Sequence, residues 1–381
     1  MAVAALFLTN GALFANLLPR YPEIKADLHL SNAVYGIAVA AFSGGALVAG
    51  LAAAALIRRF RSARVAVAGS IGIAVFVFVA ALAPSAFGLA SALFIAGASD
   101  AITDVGQNAH ALRLQRNYGR SIINSSHAVW SIGAVLGGAM GAAAIALHIQ
   151  RTTHLAVSAA VFSAVVLAAY PFLLRGPDQD DHLSARTETA GRPGFAIYAT
   201  LVALIFIAIA GAIIEDVGSS WATIYLRDSL GAPGAIAATG YIAMVGFQFV
   251  GRLIGDRLVD RFGERAVARA GGLITAAGIG AALAFPSVPG TIAGFAAVGI
   301  GVATLVPAAM HGADQLPGLR AGTGLTAVAW LMRIGFVSSP PVVGLIADAT
   351  SLRVGLLVVP VAGVAVMLLA TALSPRRRQS R

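Results

Sequence analysis

The feature that most restricts this chain is a succession of long apolar runs separated by short polar gaps. A helix that crosses the hydrocarbon of a bilayer needs about 20 mostly apolar residues. Twelve runs reach or approach that length, at 2–19, 33–57, 64–83, 86–112, 121–147, 152–174, 194–226, 233–258, 264–285, 287–311, 320–347 and 352–373. Only 11% of the 381 residues are charged, against roughly 25% in a soluble domain. Too few charges remain to coat a water-facing surface, so lipid is the expected solvent. The 43 glycines suit helices whose backbones approach closely in a bilayer. Met1 to Leu8 carries no basic n-region and no cleavage site, and reads as the start of the first spanning helix.

The formal net charge of +10 would suggest nucleic acid in a soluble protein. Here the basic residues fall in alternate gaps between apolar runs, so the membrane reading wins. One set of gaps holds Arg58, Arg59, Arg61 and Arg64; Arg113, Arg116 and Arg120; Arg175, Arg186 and Arg192; Arg252, Arg257, Arg261, Arg265 and Arg269; Arg320; and the tail Arg376, Arg377, Arg378 and Arg381. The intervening gaps are nearly neutral. The positive-inside rule places the basic set, and with it both termini, in the cytoplasm. An even number of spans follows.

The stretch from Arg175 to Arg192 is the one long polar segment. It divides the chain into an N-terminal bundle (1–174), a linker (175–193), a C-terminal bundle (194–373) and a basic tail (374–381). The halves repeat weakly. Arg120 and Trp130 recur as Arg320 and Trp330, and the turn Arg58-Arg59-Phe60-Arg61 recurs as Asp260-Arg261-Phe262-Gly263. Internal repeats of this kind are a transporter signature.

With twelve runs, a central linker and a basic turn after the second and eighth, the chain resembles the major facilitator superfamily (MFS). The fold implied is all-α, twelve transmembrane helices in two pseudo-symmetric six-helix bundles. The family's loop motif is kept in the second copy as Asp256, Asp260, Arg261, Gly263 and Arg265. In the first copy, Arg58 and Arg61 replace the aspartate and the glycine, with Arg59 between them. A narrower resemblance is to the fucose-permease-like branch and its bacterial relatives. It rests on Asp104-Val-Gly-Gln-Asn108, Ser126-His127-Ala-Val-Trp130-Ser-Ile-Gly133 and Trp221-x-x-x-Tyr225-Leu-Arg-Asp228. That branch implies functional carboxylates on helices 4 and 1. Asp104 matches the first; the second position holds Leu17, beside Asn16.

An ionisable group within a spanning helix marks a functional site by default. Asp100, Asp104, Gln107 and Asn108 share one face of helix 4 by their spacing. A carboxylate there can take up and release a proton as a cavity changes sides; the alternative is a structural polar seam. Glu215 and Asp216 lie past the middle of helix 7, with Asp216 in register with Asn16. Arg333, central in helix 11, stays charged at any accessible pH. It is expected to clamp an anionic or hydroxyl-rich solute, to partner Glu215 or Asp216, or to form a permanent salt bridge. His127 could relay protons. Gln248 could bind solute, and Trp130, Trp221 and Trp330 could stack on a sugar ring or simply pack. Pro340-Pro341 is expected to bend helix 11.

The expected function is secondary transport of a small polar solute, sugar-like or an organic anion, coupled to protons and performed by a monomer in a bacterial inner membrane. Drug or metabolite efflux is the alternative, weakened because helix 5 has Gly133, Gly137, Gly138 and Gly141 but no proline. A non-transporting receptor is a remote third. The partners expected are the solute and the bilayer, with no nucleic acid. No nucleotide-binding loop, metal cluster or cysteine is present in the sequence, so no cofactor or enzymatic role is expected.

Overall fold

The computed structural model describes residues 1–119, 122–174, 176, 194–319 and 322–374. Arg120, Arg320, the linker apart from Gly176, and the tail beyond Ser374 lie outside the described residues. Twelve helices are long and apolar enough to cross a membrane: α1 Ala2–Asp27, α2 Asn32–Phe60, α3 Ser62–Ala81, α4 Ala86–Tyr118, α5 Ser125–Ala146, α6 Arg151–Phe172, α7 Phe195–Ser229, α8 Gly234–Phe262, α9 Glu264–Ala284, α10 Val288–Asp314, α11 Thr323–Ala349 and α12 Leu352–Ala372. Local chemistry sets several boundaries. Ser31, Ser85, Ser287 and Ser351 each accept a hydrogen bond from the backbone N–H three residues on, and so cap α2, α4, α10 and α12. Gly119, in the left-handed conformation, ends α4.

The helices pack as two groups of six. In the first, α1 packs on α5, α2 on α4, and α3 on α4 and α6; in the second, α7 packs on α11, α8 on α10, and α9 on α10 and α12. Pseudo-symmetry extends to single residues. Arg151 at the start of α6 donates to the Ala81 carbonyl ending α3, and Arg353 at the start of α12 donates to the Leu283 and Ala284 carbonyls ending α9. A cation is favoured at such a helix end. Large apolar side chains such as Leu51, Phe87 and Leu368 stand exposed, a surface suited to lipid.

Glycine sets how closely the helices cross. A Cβ on Gly133 would strike the Leu8 carbonyl, one on Gly45 the Phe94 carbonyl, and one on Gly299 the Met244 carbonyl. The same device joins the halves, since Gly36 of α2 lies against the Pro340 carbonyl and Gly344 of α11 against the Asn32 carbonyl. Pro340 and Pro341 sit inside a continuous helix, Arg333–Ala349. α11 is interrupted at Met332, between Thr323–Leu331 and Arg333–Ala349.

Among the described residues, every hydrogen bond between the halves lies on the face away from the termini. Asp348 at the end of α11 accepts from the backbone N–H of Asn32 (2.9 Å) and Ala33 (2.8 Å) and from the Asn32 amide. A carboxylate from one half thus caps the N-terminus of a helix in the other. Lys25 pairs with Asp228 at 3.3 Å. Tyr35 donates to the Ser220 carbonyl at 2.7 Å and meets Trp221 edge to face, with Tyr21 behind it. Tyr21, Tyr35 and Trp221 are fully buried. Together they form a barrier. On the terminus-bearing face, Asp256 and Asp260 of the loop motif are exposed and make no ion pair among the described residues.

Two consequences can be measured. Gly133→Val should destabilise the protein by about 1–3 kcal/mol, the usual cost of overpacking, whereas Gly50→Ala, which meets nothing within 4 Å, should leave the melting temperature unchanged or raised. Loss of the Asp348 cap should cost the closed barrier about 1–2 kcal/mol. That corresponds to about 5- to 30-fold in population. The chain has no cysteine, so a single cysteine at Ser220 reports on the barrier; Asp348→Ala should speed its maleimide labelling, and an unchanged rate would show that the cap does not hold the barrier shut.

Candidate functional site

Halfway along α4, Asp100 is half-buried and Asp104 is exposed, while Thr103 and Gln107 beside them are fully buried. An exposed carboxylate at that depth must face water rather than hydrocarbon. A cavity open to the terminus-bearing face therefore reaches the middle of the bundle.

Asn10 of α1 organises the N-terminal wall of this cavity. Its amide donates to Asp100 Oδ1 at 2.8 Å, and its oxygen accepts from Trp130 Nε1 at 2.7 Å and from Gln107 Nε2 at 3.4 Å. Gln107 also reaches Asp104 Oδ1 at 3.4 Å, and Asn108 donates to the same oxygen at 2.9 Å. The glycine contacts between α1 and α5 put Asn10 and Trp130 in register: a Cβ on Gly11 would strike the Trp130 carbonyl. His127, one turn before Trp130, is exposed, rests edge to face on Phe7 at 5.3 Å, and lies within electrostatic range of Asp104.

The opposite wall is basic. Arg333 is half-buried at the break in α11 and acts electrostatically on both Asp100 and Asp104. Among the described residues it has no hydrogen bond or ion pair. The expected partnership with Glu215 or Asp216 is not formed. Glu215 faces Arg252 of α8 at 3.8 Å, and Asp216 accepts from Ser339 Oγ at 2.6 Å. Adjacent residues on α7 thus point apart, one toward α8 and the other toward α11. Arg252 is also within range of His127. Asp100 and Asp104 belong to the N-terminal half, and Arg333, with the Arg252–Glu215 pair, to the C-terminal half.

Other sequence candidates fall elsewhere. Asn16 is fully buried, donates to the Ala12 carbonyl and meets His154 Nε2 at 2.9 Å. It belongs to a network with Arg20, which reaches His154 Nδ1, Glu23 and the Ile149 carbonyl. Trp221 is part of the barrier. Gln248 is buried where α8 crosses Gly299 of α10. Trp330 is 52% exposed, with no hydrogen bond to its indole among the described residues. In the loop motif, Gly263 takes a positive φ that a side chain disfavours, and Arg265 donates to the Leu373 and Thr371 carbonyls. Arg59 and Arg261 lie over the rings of Phe60 and Phe262. Arg58 is exposed at the end of α2. Asn10 escaped sequence reasoning; its only signal was a polar residue inside the first apolar run.

The sequence profile of the Major Facilitator Superfamily matches residues 3–257 and 204–381. An uncharacterized transporter of Sinorhizobium fredii, y4wD, is 31% identical over 372 residues, 97% of both chains. The nucleoside transporter NupG shares the fold with a TM-score of 0.76 at 14% identity, over 97% of this chain and 98% of its own. A D-xylose-proton symporter does so with a TM-score of 0.70 at 15% identity, over 97% and 94%. Twelve spans in two packed bundles, a water-open polar cavity between them and a profile match over nearly the whole length lead to one assignment: the chain is a transporter that belongs to the major facilitator superfamily.

Proposed function

We propose that the chain moves a small polar solute bearing an anionic or hydroxyl-rich group, coupled to protons, by alternating access between its halves. The observation that carries this reading is Arg333, an unpaired cation facing Asp100 and Asp104 across the cavity. A half-buried guanidinium keeps its charge at any accessible pH and needs a counter-ion. With both carboxylates ionised, the cavity holds its own counter-ions. Protonation of Asp104, exposed to cavity water, removes one of them and leaves Arg333 available to an anionic or hydroxyl-rich group on the solute. Solute and proton would then bind together and leave together. Asn10, Gln107, Asn108 and Trp130 supply neutral donors and a ring face, and His127 offers a route for the proton. Among the proteins sharing this fold, the D-xylose-proton symporter supports proton-coupled movement of a polar solute.

The alternation of basic gaps supports a bacterial inner membrane with both termini in the cytoplasm. In that orientation the barrier of Tyr21, Tyr35 and Trp221 closes the outer face and the cavity opens inward. The halves then correspond to residues 1–174 and 194–373, joined by the linker 175–193, with 374–381 as a cytoplasmic tail. The protein would work as a monomer.

A thermal-shift screen of purified protein against sugars and organic acids identifies the solute class, because a bound solute stabilises the folded state by mass action. Loss of a charge-assisted hydrogen bond, about 1.5–3 kcal/mol, should weaken that solute about 10-fold or more in Arg333→Gln. In vesicles, Asp104→Asn should abolish accumulation driven by a pH gradient while preserving solute exchange. Full gradient-driven uptake by Asp104→Asn would contradict the coupling scheme.

A further inference from the structure

A second cavity, of about 420 Å³, lies in the N-terminal half on the terminus-bearing face, apart from the central site. The first turn of α3, the end of α4 and the end of α6 build it, and Arg61, Arg64, Arg113, Tyr170 and Gly176 line it. No acidic side chain lines it among the described residues. Arg64 Nε donates to the Tyr170 hydroxyl at 3.3 Å, and Arg113 to the Gly176 carbonyl at 3.2 Å, so the guanidinium groups are held in place.

Arg61 is the unusual member. Its φ of 75° and ψ of 148° fall where glycine is nearly the only residue found. Gly263 occupies the matching turn of the other half, at φ 85° and ψ 154°. The N-terminal half thus bears backbone strain at the residue that adds a third cation to the pocket. The C-terminal half treats the matching region differently. There Arg265 spends its donors on the carbonyls ending α12, and Glu264, where Ser62 stands in the first half, pairs with His311. Arg61 and Arg64 have no acidic partner among the described residues.

The pocket lies at helix ends. Phe172 beside it is 81% exposed and Phe60 half-exposed, as expected of aromatic residues at a membrane–water boundary. Basic pockets between spanning helices at that level take anionic headgroups. We propose that this pocket binds a phosphate-bearing anion, supplied by the headgroup of an anionic phospholipid. Arg61 and Arg64 would contact the phosphate, with Arg113 and the Tyr170 hydroxyl at its flank.

The test is thermal unfolding of the purified full-length protein in detergent with added short-chain phosphatidylglycerol, phosphatidylcholine or inorganic phosphate. Phosphatidylglycerol should raise the melting temperature of the wild type above the phosphatidylcholine value. Arg61→Gly should fold without difficulty, because it relieves the strained backbone. Combined with Arg64→Gln, it should lose at least half of that increment. An equal increment from inorganic phosphate, lost in the same variant, would keep the phosphate site and assign it to the free ion. An increment unchanged in the double variant would overturn the proposal. So would one that emerges only in Asp178→Asn/Asp180→Asn/Asp181→Asn, since the linker would then be the occupant. No arm measures flux, so the result stands apart from the proposed transport cycle.

Discussion

A charge placed at the centre of a bilayer costs at least about 2.5 kcal/mol, and the architecture is organised around that cost. Asp100, Asp104 and Arg333 lie at mid-helix within one another's fields, and Asp104 is exposed between the helices. Polar groups with no such exposure are hydrogen-bonded or paired locally. Arg20 is buried against Glu23, His154 and a backbone carbonyl, and Asp216 is held by Ser339. The difference separates structural polar groups from those available to a solute. Asn16 and Asn10 illustrate it: both are buried amides on α1, but only Asn10 bonds to residues that line the cavity.

The second constraint is backbone contact. Helices in lipid gain little from burying apolar surface against one another, so small residues and close approach carry their association. Within each half, Gly11, Gly45, Gly133 and Gly299 bring backbones together, which makes each half resist deformation. Between the halves, Gly36 and Gly344 do the same on one face only, where Asp348 also caps α2. A rigid pair of bundles joined firmly at one face and loosely at the other is suited to rocking. The exposed Asp256 and Asp260 of the loop motif belong to the loose face, free to engage when that face closes.

Much of this was legible in the sequence because hydrophobic length is a direct readout of the solvent. The twelve spans and the polar face of α4 follow from spacing along the chain, and the loop motif carries the resemblance to the family. The expected span at 287–311 matches Val288–Asp314 to within three residues. What escaped depends on partners far apart in the chain. Asn10 gains meaning only from Asp100 and Trp130, and Asp348 only from the N-terminus of α2. The proline pair lies inside the helix Arg333–Ala349 with Gly36 against it, and the break at Met332 beside Arg333 carried no signal in the sequence. The Arg151 and Arg353 caps, the clearest trace of the repeat, lie in gaps that charge counting treats as neutral.

The proposed transport cycle requires the halves to move as two rigid bodies about a site at their interface, with one face opening as the other closes. Paired spin labels at Ala26 and Ser229, and at Arg59 and Asp314, would follow the two faces in separate samples by distance measurement. The account predicts that a change of pH or addition of a transported solute lengthens the first distance and shortens the second, in matched populations. Both distances moving in the same direction, or the barrier face opening while the terminus-bearing face stays open, would contradict it.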